Sequence, residues 1–291
     1  MQNPELAKFE VERLLTPSIV KLSKNILFVD GSIDYYERLA YTKKINEILF
    51  FCKEDELEGK IKEFDWSFLK GSYRINSGLD VADLIYRQIS EPKVDLRNPD
   101  NILEVFKHEN YVYFSKVVWK NRQDFLSRRS HLYPRPHPTG LYPTLARACI
   151  NILGIDKGEI VDPFCGSGGV LIEAGLMGFD VKGYDINPRL VDDAKINLRH
   201  FGIENFDIAK DDSLNGVGAD YIVTDIPYGR STKISMGVQE LAEQFIESSE
   251  FKKMVMVCPS EVQLKEYVKE FVLYVHKSLS KKVYLIEFSH G

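Results

Sequence analysis

From residue 158 onward, short apolar runs alternate with segments of helical spacing, and this alternation is the strongest constraint on the fold. GEIVDPFC (158–165), DVKGYDI (180–186), FDIAKDD (206–212), ADYIVTDI (219–226) and KKMVMVCP (252–259) read as strands. VLIEAGLMG (170–178), NPRLVDDAKINLRHFG (187–202) and VQELAEQFIESS (238–249) read as helices. The first two stop at glycines, and the second opens with Asn187 before Pro188, a helix start. Residues 267–290 fit a helix or strand and then a closing pair of strands. Strands separated by helices pair in parallel through right-handed crossovers, so an α/β fold with a mostly parallel sheet is expected. Ligands of such sheets bind at the carboxyl ends of the strands, which is where site residues are to be sought.

The first half is less regular. NILFVD, EILFFC and ILEVFKHENYVYFSKV are short apolar runs, and YERLAYTKKINEI and LDVADLIYRQI have helical spacing, so small α+β units are expected. HLYPRPHPTGLYP (131–143) is dense in proline and reads as a linker. A chain of 291 residues suits roughly two domains. No apolar run approaches the ~18 residues of a membrane span. MQNPELAKFEVERLL lacks the basic-then-apolar order of a signal peptide, so a cytoplasmic address is expected. The four cysteines show no C-x-x-C spacing, which argues for reduced thiols rather than disulfides or a zinc site. The net charge of −5 does not announce a nucleic-acid binder. Locally, however, Lys116, Lys120, Arg122, Arg128, Arg129 and Arg135 face a single acid, Asp124. Such a basic patch reads either as a solvated charge run or as a phosphate contact.

The strand ends carry the chemistry. In VDPFCGSGG (161–169), Asp162 ends a strand and Pro163, Phe164, Cys165, Gly166, Ser167 and Gly168 form a Gly-rich turn that lets the backbone approach a ligand. The turn has neither the G-x-G-x-x-G spacing of dinucleotide folds nor the G-K-[ST] of phosphate loops. The next strand ends in Asp185 and Ile186, placing an acid 23 residues after Asp162, where it can accept from ribose hydroxyls. Asp211 and Asp212 end the third strand, where an adenine edge could be met. Any one of these acids alone reads equally as a helix cap; the set reads as a nucleoside site. A carboxylate beside the turn repels a pyrophosphate but suits an amine and a positive centre. S-adenosyl-L-methionine carries both, together with adenosine and no phosphate. VTDIPYG (223–229) ends the fourth strand on the same edge, with Asp225, Ile226, Pro227 and Tyr228 where a methyl group would emerge.

VTDIPYG resembles the D/N-P-P-Y motif of amino-methyltransferases, with Ile226 in place of the first proline. DPFCGSGG and YDIN resemble cofactor motifs of the same superfamily. VDLRNPDNILEVF (94–106) and NYVYFSKV (110–117) resemble the RNA-binding THUMP domain. RPHPTGLYPTLARACINILG (135–154) resembles the segment that joins THUMP to the catalytic domain in archaeal tRNA guanosine-10 N2-methyltransferases and their eukaryotic relatives. The resemblance covers most of the chain from about residue 70. It implies a class I, Rossmann-like methyltransferase domain with a mostly parallel seven-stranded sheet at 144–291, a linker at 131–143, a THUMP domain at 66–130 and a ferredoxin-like domain at 1–65. It further implies methyl transfer from S-adenosyl-L-methionine to the exocyclic amine of a tRNA guanosine at position 10, once or twice. Asp225 and the Ile226 carbonyl would accept from the amine, and Tyr228 would stack on the base. His137 and Thr139 would lie at the cofactor rim, and Arg230 would help place the target nucleotide. The basic patch would hold tRNA phosphates. The alternatives left open are another RNA guanine amine, or an RNA-binding relative without activity. Some relatives work with a small zinc-binding activator subunit; a monomer is otherwise expected.

Overall fold

In the computed structural model, residues 3–15, 19–31, 35–138, 140–227, 236–276 and 279–288 are described. They divide into two compact units, residues 1–41 with 123–291, and residues 42–122. In chain order, the first unit opens with α1 (Pro4–Leu15) and the antiparallel hairpin β1 (Ile19–Ser23) and β2 (Ile26–Asp30).

The second unit holds β3 (Lys44–Cys52), α2 (Leu57–Glu63), β4 (Ser72–Ser77), α3 (Ala82–Tyr86), β5 (Lys93–Val94), β6 (Asn101–His108) and β7 (Tyr111–Lys120). Its five-stranded sheet runs β3-β7-β6-β4-β5. Ile61, Ile85, Leu103 and Phe114 form a fully buried core under it, with Phe114 stacked on Phe50 at 5.0 Å. YERLAYTKKINEI does not form the expected helix. Only Tyr36–Arg38 make a single helical turn, and the chain from Lys44 is a strand laid antiparallel against β7. Pairing with a long neighbouring strand outweighs weak local helix propensity. The compact unit therefore spans 42–122, and the breaks expected at 65 and 130 do not coincide with it.

The first unit resumes at residue 123 with α4 (Pro143–Ile152), β8 (Glu159–Asp162), α5 (Gly169–Leu176), β9 (Asp180–Asp185), α6 (Pro188–His200), β10 (Phe206–Lys210) and β11 (Gly218–Asp225). It closes with α7 (Val238–Ser248), β12 (Glu250–Pro259), β13 (Lys269–His276) and β14 (Leu279–Glu287). The seven strands run β10-β9-β8-β11-β12-β14-β13. The first five are parallel, and β14 is antiparallel to both its neighbours. Residues 267–290 thus supply two strands, without a helix among the described residues.

Alternation along the strands fills both faces. Val223, Val255 and Val283 pack with residues of α4, α5 and α6, whereas Ile222, Met254 and Tyr284 pack with Leu241 and Phe245 of α7. Strand order reverses between β8 and β11, so their carboxyl ends open a crevice at the switch point.

The 131–143 segment is not a free linker. Tyr133 is buried, the His137 amide donates to the Ser130 carbonyl at 3.1 Å, and the segment belongs to the first unit. Its prolines prevent regular structure, but its amides and rings still find partners.

Candidate active site

The Gly-rich turn is held open from beneath. Asp162 is 3% exposed, and its carboxylate accepts from Thr224 Oγ1 at 2.7 Å and from the Phe164 amide at 3.2 Å. It braces the turn against β11 instead of lining the crevice. The Cys165 amide donates to the Tyr184 carbonyl at 2.8 Å, and the buried Ser213 hydroxyl donates to the Pro163 carbonyl. Gly166 and Gly168 both sit at positive φ, 52° and 90°, a conformation that a side chain would strain. Among the described residues, none beyond the chain neighbours of Gly166 has an atom within 4 Å of where its Cβ would stand, so the turn offers open space at this point.

Asp185 completes the rim. Its Oδ2 accepts from the Gly166 amide at 3.0 Å and its Oδ1 from the Asn187 amide at 2.8 Å. Burial raises its carboxyl above the usual range; these two amides and the nearby His137 oppose the shift. Ile186, directly after it, is 62% exposed, an apolar face left uncovered beside a ribose-type acceptor. On β10's exit, Asp212 caps the following turn by accepting from the Leu214 amide at 3.1 Å. Asp211 is exposed, with Oδ1 accepting from the Asp212 amide at 2.8 Å. A half-buried acid, an open glycine and an exposed isoleucine around one crevice fit a nucleoside-bearing cofactor.

Asn197 was not legible as a site residue. It is fully buried on α6, accepts from the Arg135 amide at 2.9 Å and donates to the carbonyls of Arg135 and Ser167, each at 3.0 Å. One side chain thereby fastens the 131–143 segment to the Gly-rich turn, and so sets where His137 meets Asp185.

Asp225 ends β11 in the crevice, and its partner is the second residue that the sequence did not disclose. Lys281 Nζ on β14 donates to Oδ1 at 3.0 Å and to Oδ2 at 2.7 Å. Burial raises the Asp225 carboxyl, and Lys281 pulls it back. Ile226 is fully buried in the core, and its amide donates to the Val257 carbonyl at 2.9 Å. A proline at 226 would lose that bond. The ladder to β12 here supplies the rigidity that a ring supplies in D-P-P-Y. Pro227 follows, half-buried, while Tyr228 and Arg230, with Thr139, lie outside the described residues.

The basic candidates divide. Lys116, Lys120 and Arg122 belong to the 42–122 unit, and Lys116 lies 5.9 Å from the Phe68 ring centre. Arg128 is buried, with Nε 2.6 Å from Glu173 Oε1, so it is an interior ion pair and not a phosphate contact. Its neighbour in sequence, Arg129, lies over Tyr142 at 4.9 Å. Arg135 is exposed and lines a 550 Å³ surface groove with Arg189, Lys195 and Arg199. Among the described residues no cluster of three or more metal-ligating side chains occurs, and no helix is long and apolar enough to cross a membrane.

The bracing acid leads to a pH prediction. Burial pushes Asp162 up to about 7 from an unfolded value near 3.8. Between those values the folded state holds a proton that the unfolded chain has lost, so stability falls as pH rises from about 4 to about 7. The loss is as much as about 4 kcal/mol. Asp162→Asn, neutral at every pH, should flatten that slope in urea melts taken from pH 5 to 8. Identical slopes for the two proteins would show that Asp162 ionises normally.

Known methyltransferases resemble this chain in sequence and in fold. The RMKL-like methyltransferase domain profile matches residues 131–285. A second profile, described as a DNA methylase, matches residues 18–196, which include the Gly-rich turn and Asp185 but stop before Asp225. The chain is 28% identical to the tRNA (guanine(10)-N2)-dimethyltransferase of Methanothermobacter thermautotrophicus, over 98% of this chain and 97% of that one. It is 29% identical to the enzyme of the same name from Pyrococcus abyssi, over 98% and 96%. In structure it is similar to TrmN from Thermus thermophilus, with a TM-score of 0.56 at 16% identity over 98% of this chain and 96% of that chain; this likeness concerns the fold alone. The chain belongs to the RMKL-like methyltransferase-domain family and to that of the tRNA (guanine(10)-N2)-dimethyltransferases, a probable member of which, from Methanothermococcus thermolithotrophicus, is 31% identical over 48% of this chain and 96% of that one.

Proposed function

We propose that this protein transfers a methyl group from S-adenosyl-L-methionine to the exocyclic N2 amine of a tRNA guanosine, position 10 in the first instance. The observation that carries the reading is a largely buried carboxylate, Asp225, at the mouth of the crevice beside a Gly-rich turn rimmed by Asp185. When bound, the cofactor supplies an electrophilic methyl group whose departure leaves a neutral sulfide. Gly166, Gly168, Asp185, Ile186 and His137 would hold it, on a turn braced by Asp162.

Chemistry at the other partner falls to the chain. The lone pair of a guanine amine is delocalised into the ring, so the amine is a poor nucleophile. Acceptors aimed at its N–H bonds draw the nitrogen toward tetrahedral geometry. Asp225 supplies one acceptor and takes the proton that nitrogen sheds on gaining a fourth bond; the Ile226 carbonyl supplies the other. Much of the rate then comes from alignment. Tyr228 gives the base a face to stack on, worth about 1–3 kcal/mol, and a paired or stacked target must first be extruded.

Residues 42–122 act as the THUMP-type RNA-binding unit. Lys116, Lys120, Arg122, Arg129 and Arg135 contact phosphates, with Arg230 beside the target nucleotide, so binding weakens steeply with salt. The protein works in the cytoplasm as a monomer, with or without a small zinc-binding activator.

The test uses labelled cofactor, a tRNA transcript and mass spectrometry of the digested nucleosides. Mono- or dimethylated N2-guanosine is expected, and the signal should vanish when the nucleotide at position 10 is changed. Label in adenosine, or no label with any tRNA, would overturn the reading.

A further inference from the structure

Lys281 reaches the crevice from two strands away. In register, Asp225 of β11 pairs with Val257 of β12, and Pro259 of β12 pairs with Lys281 of β14. The lysine crosses β12 to place Nζ on both oxygens of Asp225, at 3.0 and 2.7 Å. Both side chains are largely withdrawn from water, Lys281 at 8% and Asp225 at 16% exposure. Two charges in that setting are costly to desolvate, so an ion pair there is weak support for stability as its purpose. The neighbouring Lys282 emphasises the point. Successive strand residues face opposite sides, and Lys282 has its own carboxylate, Glu270 at 3.0 Å, together with Gln263 and the Tyr284 hydroxyl. Two adjacent lysines in a buried strand are each matched, but only Lys281 is matched to a residue in the crevice.

Among the described residues, the other groups near Asp225 do not do this work. The charge of Asp225 is felt by Asp162 of β8, Cys149 of α4 and Cys258 of β12. The first is another carboxyl. The others are buried thiols, both held neutral by burial, with Cys258 pushed up to about 12. Left to these neighbours, a buried carboxyl tends to take up a proton and become a donor on one oxygen.

We infer that Lys281 is a positioning residue for methyl transfer: it fixes the orientation of Asp225 and keeps that side chain an acceptor-only carboxylate facing the target amine. The inference rests on the reading of Asp225 given above. An acceptor-only group suits guanine, whose N1–H and N2–H donors are adjacent, better than adenine or cytosine, where a ring-nitrogen acceptor adjoins the amine. Burial raises the Asp225 carboxyl and Lys281 opposes that rise, the sense in which its two hydrogen bonds also act.

The experiment follows Asp225 itself as well as the reaction. Carbon-13 carboxyl resonances of aspartate are titrated in the full chain, with the Asp225 signal assigned by its loss in D225N. An opposite charge at this range lowers a carboxyl by about 1–3 units. Lys281→Met should therefore raise the Asp225 midpoint by that amount, Lys281→Arg should leave it within a fraction of a unit, and Lys282→Met should not move it. In single-turnover assays the acid limb of the Lys281→Met rate profile should move up by the same interval. A shift of one to three units at constant pH is a loss of about 10- to 1000-fold below the new midpoint, recovered as pH rises. The cofactor Kd should change less than about threefold. An unmoved midpoint in Lys281→Met, or an equal move in Lys282→Met, would overturn the inference even if the protein methylates tRNA as proposed. If the wild type methylates nothing but the midpoint moves as expected, the function fails and the Lys281–Asp225 coupling stands. Should Lys281→Met not fold, Lys281→Arg carries the test: a normal rate profile is expected, and a profile displaced like that of an uncharged site would overturn the inference.

Discussion

Asp225→Asn should lower methyl transfer by about 10²–10⁴-fold, the range for losing a group that receives a proton in the transition state. Asparagine keeps the shape and one carbonyl acceptor but cannot take a proton, and its NH₂ would point a donor at either the amine or Lys281. The structure gives the reason for a large effect. Asp225 ends a strand paired along its length with β12, and Lys281 holds both oxygens, so the carboxylate has little freedom to be replaced by water. The variant should still bind the cofactor within a few-fold, because the Gly-rich turn, Asp185 and Asn197 lie on β8, β9 and α6. Single-turnover rates with a tRNA transcript and calorimetric titration of the cofactor check the two halves separately. Wild-type turnover in this variant would remove Asp225 from the mechanism. Loss of cofactor binding in step with activity would place it in the cofactor pocket instead. A moderate loss of stability is expected as well, since Lys281 loses its counter-charge in a dry site.

Glu173→Ala should cost about 3–5 kcal/mol of stability, the range for breaking a buried ion pair from one side. Glu173 on α5 is 1% exposed. It receives Arg128 Nε at 2.6 Å and Nη2 at 3.2 Å, and Arg147 Nε at 3.0 Å. Both guanidiniums also lie over the Phe125 ring, at 5.0 and 5.7 Å. Burial lowers Arg147 from its ordinary value and Glu173 restores part of the shift. Removing the carboxylate takes away the acceptor that both guanidiniums share and leaves two cations close together in the interior. Guanidinium melts of wild type, Glu173→Ala and Glu173→Gln give the size directly. A loss under about 1 kcal/mol would mean that water reaches the arginines. Arg128→Met and Arg147→Met combined with Glu173→Met should recover much of the stability lost in Glu173→Ala, because apolar replacement of all three partners leaves no unpaired charge. This triad also explains why part of the basic run near residue 128 is not a nucleic-acid surface: a charge pattern in sequence does not say which cations already have a buried partner.

The catalytic half was readable because its signals are local. The period of apolar residues, glycines at helix ends, Asn187 before Pro188 and acids where strands stop all act over a few residues. Asn187 caps α6 through Oδ1, accepting from the Arg189 amide at 3.1 Å, as its position suggests. The strand from Lys44 was missed because its helical spacing is an accident of composition that pairing with β7 overrides. The boundaries of the 42–122 unit were missed because they depend on which distant strands share a sheet.

What the sequence by itself determined is the set of strand-end residues. Given an alternating α/β chain, Asp162, Gly166, Asp185 and Asp225 must fall on one edge of one sheet, since parallel strands end together. What only the tertiary structure decided is how those residues are charged and held. Asp162 turns inward to Thr224, Asn197 ties the proline-rich segment to the turn, and Lys281 crosses a strand to reach Asp225 across 56 positions of sequence. Burial and long-range ion pairs set a carboxylate's protonation, and neither is encoded within a few residues of it.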